Sequence, residues 1–203
     1  MIGAAYGMVA STMIVTPDYT RHPKAYEILS SAAFVGRRRR LFTEVLRIAD
    51  IRPDDRVLDL GCGTGYLTAL AASAGARALG IDASEPMIAE ARRLHPAARF
   101  RVERAESFVA PAGSFDVVVS SLLFQTLTAD LSDAVAANAL QLLGPGGRIV
   151  IVALHPPLPG HLAASPDQAA YALALAEFTR IHTRRIDPLV ICTSARTGRD
   201  EAA

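Results

Sequence analysis

The sequence predicts an α/β domain: a doubly wound, mostly parallel sheet with helices on both faces and an antiparallel hairpin strand near its C-terminal end. Three observations carry this. Beyond residue 50, short runs rich in Val, Ile and Leu alternate with helical stretches, the pattern of a parallel sheet covered on both sides. One such run, Val57-Leu58-Asp59-Leu60, passes through Gly61-Cys62-Gly63-Thr64-Gly65 straight into a helix. The chain has 203 residues, 51% of them apolar, which suits one domain with a sizeable core.

The elements follow in order. Residues 20–50 read as helical and, with the segment before them, form an N-terminal cap (1–50) beside the core (51–203). Arg56 to Leu60 is the first strand and Tyr66 to Ala74 the helix after it. Ala78 to Ile81 makes the second strand. Ser84 caps the next helix, with Pro86 in its first turn and Met87, Ile88, Ala91 and Leu94 on its apolar side. Arg99 to Val102 and Phe115 to Ser120 are the third and fourth strands. A helix through Leu131 to Leu143 stops at Gly144-Pro145-Gly146-Gly147, and Arg148 to Ala153 is the fifth strand. Ser165-Pro166-Asp167 starts a helix reaching about Phe178. Ile181 to Ile186 and Leu189 to Ser194 then flank a tight turn at Asp187-Pro188.

Composition excludes several classes. Twenty-one basic residues against twenty acidic ones give a formal charge of +1, too little for a surface that coats polyanions generally. Cys62 and Cys192 lie far apart without metal-ligand spacing, and His22, His95, His161 and His182 form no ligand-spaced cluster, so neither a disulfide scaffold nor a metal is indicated. The apolar stretch Met1 to Val15 lacks a basic start and is too short to cross a bilayer. The expectation is a cytoplasmic protein with no membrane span and no nucleic-acid partner, a monomer or a homodimer.

Alternating glycines after a strand let the backbone turn sharply and let a ligand approach where a Cβ would stand. A dinucleotide fingerprint needs its third glycine one place later, and Tyr66 occupies that place. Asp82 ends the second strand at the spacing where a carboxylate accepts hydrogen bonds from both hydroxyls of a ribose.

At this point the chain resembles a known family. Val57 to Gly65 is similar to motif I of the class I S-adenosylmethionine-dependent methyltransferases, and Gly80-Ile81-Asp82-Ala83-Ser84 with Met87-Ile88-Ala89 to their second motif. Ser114 to Val119 resembles their fourth-strand motif, and Leu142 to Gly147 the turn before their fifth strand. The likeness spans about residues 20 to 195, and its nearest flavour is the small-molecule branch that includes quinone-biosynthesis enzymes. It implies a Rossmann-like fold, S-adenosylmethionine as cofactor with S-adenosylhomocysteine as product, and a small, apolar or aromatic acceptor. It also implies roles. Asp59 with the backbone of Gly61 and Gly63 holds the amino-acid end of the cofactor, and Asp82 the ribose. Ala83 and Met87 line the adenine. Where the family often has an acid after the third strand stands Arg104, so Ala105 and Glu106 are the substitutes. Ser120 approaches the methionine portion.

Outside the motifs, Arg37 to Arg40 invites a nucleic-acid reading, but consecutive helical residues point in different directions. Phe34, Leu41, Val45 and Ile48 define an apolar stripe on which Arg38 falls, and an inward Arg needs an anion: a protein carboxylate or that of the cofactor. Tyr26 resembles a residue that small-molecule members place over the cofactor, with core packing as the alternative. Cys62 reads as a small buried neighbour of the loop. Gln125-Thr126 stands where the family often has a His pair, which leaves His155, after the fifth strand, as the candidate base and Gln125 as a possible positioning group; a plain loop histidine is the alternative. Ser120 to Leu123 replaces the Asn-Pro-Pro-Tyr of nucleic-acid and protein N-methylating relatives, which disfavours those substrates. A non-methylating member, a cyclase or binding module, stays open on fold grounds.

Overall fold

The computed structural model describes residues 36–154 and 166–198. Seven strands form one sheet: β1 (Arg56–Leu60), β2 (Arg77–Asp82), β3 (Arg99–Val102), β4 (Phe115–Ser121), β5 (Leu143–Leu154), β6 (Phe178–Asp187) and β7 (Val190–Thr197). Their spatial order is β3-β2-β1-β4-β5-β7-β6. The first five run parallel; β7 pairs antiparallel with β5, and β6 antiparallel with β7. The expected doubly wound sheet with its C-terminal hairpin is therefore present.

Helices α1 (Arg38–Ile48), α2 (Tyr66–Ser73), α3 (Glu85–Leu94), α4 (Ala129–Leu142) and α5 (Pro166–Leu175) cover both faces. On one face, Leu41, Phe42, Val45 and Leu46 of α1 and Leu67 and Ala71 of α2 pack on Val57, Val117, Val119 and Val150. On the other, Val135, Ala136 and Ala139 of α4 and Leu173 of α5 bury Leu58, Val118 and Ile149. Successive strand residues face opposite layers, so these central strands are apolar throughout. Ser84 caps α3 by accepting from Met87 N–H at 3.3 Å, as its position in the sequence implies.

Two expectations are corrected. Gly144-Pro145-Gly146-Gly147 is not a turn outside the sheet; it bulges within β5, because Leu143 already pairs with Phe115 before Arg148 pairs with Val117. The last helix ends at Leu175 rather than about Phe178, and Phe178 begins β6 opposite Thr197. The apolar stripe of α1 includes Phe42 and Leu46 beside the expected Leu41 and Val45, with Ile48 partly buried against the same core. Of the expected cap, α1 belongs to the described residues; residues 1–35 lie outside them.

Candidate active site

The strand order reverses between β1 and β4, whose neighbours lie on opposite sides, and an open α/β sheet forms its ligand crevice at the carboxyl ends of such a pair. The glycine loop leaves β1 at that point. Gly61, Gly63 and Gly65 adopt φ of +67°, +54° and +81°, a region costly for residues with a Cβ. A Cβ on Gly61 would stand 2.9 Å from Leu123 Cβ, and one on Gly65 2.5 Å from the Phe100 ring. The loop is fastened to β2 by Cys62 N–H donating to Ile81 O at 2.9 Å.

Asp82, ending β2, anchors the loop from the other side. Its Oδ2 accepts from Gly63 N–H at 2.9 Å and its Oδ1 from Ser84 N–H at 2.8 Å. Burial raises its pKa while these two amides oppose the rise. Each carboxylate oxygen keeps a further acceptor site, so two hydroxyls of a vicinal diol can be bound together. Asp59, ending β1, is 1% exposed. Its Oδ2 accepts from Thr68 Oγ1 at 2.6 Å, and its Oδ1 has no hydrogen-bond partner. Burial pushes this carboxyl up to about 7; the Thr68 hydroxyl lowers it and the Asp82 charge adds to the rise. A buried acceptor without a donor is costly by itself and is suited to an ammonium group.

Beyond β2, Ala83 is exposed and Met87 is buried at the start of α3. Ala105 and Glu106 follow β3 on a loop that Asn138 of α4 clamps: its Nδ2 donates to Ala105 O at 2.8 Å and to Phe108 O at 3.1 Å. Glu106 accepts from Arg104 Nε; although burial opposes it, its own backbone N–H and Arg104 hold its carboxyl below the usual range. Ser120 is fully buried and its hydroxyl donates to Leu60 O at 3.0 Å, tying the ends of β4 and β1 together.

After β4 the chain turns through Leu122, at φ +65°, into a short 3-10 turn, Phe124–Thr126. A bulky residue in that region is strained. Gln125 is buried, and its Oε1 accepts from Leu154 N–H at 3.0 Å, joining this turn to the last residue of β5. Phe124 is 1% exposed, so its ring belongs to the core. Arg38 lies with its guanidinium carbon 4.1 Å from the Tyr66 ring centroid, an aromatic contact that the sequence reading did not include. Burial raises the Cys62 thiol well above its usual range, with Asp59 and Asp82 adding to the effect, as an inert loop neighbour requires. Tyr26 and His155 lie outside the described residues.

Thr68, Gly80, Leu123 and Asn138 were not singled out from the sequence. Gly80 carried a signal, a glycine inside a strand, which marks close approach of another group. A Cβ there would meet Thr68 Oγ1 at 2.6 Å, Phe100 at 2.8 Å and Cys62 Sγ at 2.9 Å.

Residues 57–147 match the family model described as a methyltransferase domain. An uncharacterised methyltransferase of Synechocystis is 32% identical over 149 residues, covering 72% of this chain and 70% of that protein. The chain belongs to the class I S-adenosylmethionine-dependent methyltransferases. The demethylmenaquinone methyltransferase of Beutenbergia cavernae is 31% identical over 157 residues, 76% of this chain and 62% of its own length. In fold, the PH0226 protein of Pyrococcus horikoshii superposes with a TM-score of 0.72 at 19% identity, over 90% of this chain and 96% of that one. The family's cofactor fits the residues present. The orphaned Asp59 Oδ1 and the doubly anchored Asp82 supply an acceptor for an ammonium and a seat for a diol. Among the described residues, no group of three or more His, Cys, Asp or Glu side chains is placed to hold a metal, and no helix is long and apolar enough to cross a membrane.

Proposed function

We propose that this methyltransferase transfers a methyl group from S-adenosylmethionine to a small acceptor. The observation that supports this best is Asp82, held by amides from the glycine loop and from the cap of α3, beside the point where the sheet reverses order. In this reading Asp59 accepts from the cofactor's ammonium, Gly61 and Gly63 lie against its amino-acid end, and Asp82 takes the ribose diol. Ala83, Met87, Ala105 and Glu106 surround the adenine, with Asn138 holding their loop. Ser120 keeps the two strand ends at fixed separation. Tyr26 and Arg38 close the site from the N-terminal side, Arg38 through its stacking on Tyr66.

When bound, the cofactor supplies a methyl group activated by a positive sulfur. What the chain adds is alignment of the acceptor's lone pair with the methyl–sulfur bond, a positional effect that reaches about 7–11 kcal/mol in the best intramolecular models. A phenol or alcohol acceptor also has to lose a proton, and a placed base contributes about 10²–10⁴ in rate. His155 is that base in this proposal. Gln125 is a positioning residue: its carbonyl holds the N–H of Leu154, the residue immediately before His155.

The experiment is incubation with methyl-labelled S-adenosylmethionine and a panel of phenols, quinols and amines, alongside Asp82→Ala. Label should appear in an acceptor with the natural chain and be lost with the variant. Cofactor bound but no label passed to any acceptor would favour a non-methylating member of the family.

A further inference from the structure

A groove of about 1060 Å³ lies between α1 and the β6–β7 hairpin, away from the glycine loop. Six arginines among the described residues line it: Arg37 at the start of α1, Arg39, Arg40 and Arg47 within it, and Arg184 and Arg185 from β6. Consecutive arginines do diverge on a helix, but Arg37, Arg40 and Arg47 recur at three- and seven-residue spacing and share one side. The hairpin, some 140 residues later in the chain, supplies the other wall. The expectation that the Arg37–Arg40 run builds no patch is corrected by that pairing of distant segments.

Among the described residues two carboxylates line the groove, and both are already engaged. Asp187 accepts from Arg37 at 2.9 Å. Glu44 binds Arg47 through two hydrogen bonds of 2.7 Å and lies 3.6 Å from Arg184. Arg39, Arg40 and Arg185 are exposed and pair with no carboxylate among the described residues. Three uncommitted guanidiniums on two elements facing one groove suit a multiply charged anion, for which the fork of Arg provides paired donors.

The position says which molecule carries that anion. Arg148, just after the bulge in β5, donates to Ala49 O at the C-terminal end of α1, and Arg37 at the opposite, arginine-bearing end pairs with Asp187 at the carboxyl rim of the sheet. Along that rim Asp187 pairs with Val190, Val190 with Leu154, and Leu154 N–H with Gln125 in the turn after β4. Three strand spacings of about 4.8 Å separate β4 from β6, which puts the groove roughly 15 Å from the proposed reacting end of the acceptor. Among the described residues the groove's lining holds no aromatic side chain that could stack the bases of a single strand.

We propose that this groove seats a phosphate group on the far end of the methyl acceptor, so that the acceptor is a phosphate-bearing small molecule. This rests on the methyltransferase reading above and adds the substrate class. It predicts a second, independent ligand site on the protein. The test is calorimetry at low salt with inorganic pyrophosphate, a 20-nucleotide single strand and S-adenosylhomocysteine, each titrated into the natural chain and into Arg39→Gln/Arg40→Gln/Arg185→Gln. Pyrophosphate should bind at one site per chain and weaken by about tenfold or more in the variant, as loss of charge-assisted hydrogen bonds requires. S-adenosylhomocysteine affinity and melting temperature should be the same in both proteins. Absent pyrophosphate binding, or binding indifferent to the three substitutions, overturns the proposal. Tighter binding of the oligonucleotide, steeply salt-dependent and lost in the variant, overturns it in favour of a nucleic-acid partner. Failure of S-adenosylhomocysteine alone to bind would instead overturn the cofactor reading and leave the anion site standing.

Discussion

At Asp59, burial raises the carboxyl pKa from 3.8 to about 7, against the pull of the Thr68 hydroxyl. Between those values the folded chain holds a proton that the unfolded chain has released, so this group's contribution to stability is fully present below pH 3.8 and is lost as pH rises towards 7. The residue is thus costly to the fold in the range where an ionised carboxylate would serve an ammonium ligand. Asp59→Asn removes the titration and keeps an acceptor for Thr68. Its melting temperature relative to the natural chain should be more favourable at pH 8 than at pH 4, while affinity for S-adenosylhomocysteine falls. A melting difference that does not change with pH would show that Asp59 is not a buried titrating acid.

At the scale of elements, the glycine loop and β2 are held close because neighbouring side chains occupy the places where a Cβ would stand. Gly80 is one such point of close approach, and Thr68 Oγ1 cannot yield there because it is committed to Asp59 at 2.6 Å. Gly80→Ala should therefore displace the loop, destabilising the chain by about 1–3 kcal/mol as overpacked cores do. Urea unfolding measures this, and unchanged stability would mean that the crowding around Cys62 and Phe100 relaxes freely. The elements legible in the sequence are those whose signals are local: apolar runs for β1, β4 and β5, the Ser84 cap with Pro86 for α3, and glycines where φ is positive. The bulge at Gly144 to Gly147 was hidden because glycine and proline read as a stop, whereas pairing of Leu143 with Phe115 carries the sheet past them. The start of β6 was hidden too, since Phe178 becomes a strand residue only through its partner Thr197.

Across the whole molecule the same division holds for the site. Asp59, the glycines and Asp82 lie within one strand-turn-helix-strand stretch, and their arrangement was readable from spacing. Asn138, which clamps the loop after β3, and Arg184 and Arg185, which complete the basic groove, reach their places through contacts between distant segments. No local pattern announces them. The assembled molecule then presents the proposed cofactor crevice over β1 and β2 and a cationic groove beside β6, with the turn carrying Gln125 between them along the rim.

The central claim is that this crevice binds S-adenosylmethionine through Asp82, and the most direct measurement is calorimetric titration of S-adenosylhomocysteine into the natural chain and Asp82→Ala. The natural chain should bind one ligand per protomer. The variant loses two hydrogen bonds to a charged acceptor, each worth about 1.5–3 kcal/mol, so its affinity should fall by at least an order of magnitude while the chain stays folded. Equal affinity in the two folded proteins, or no binding by either, would contradict the account.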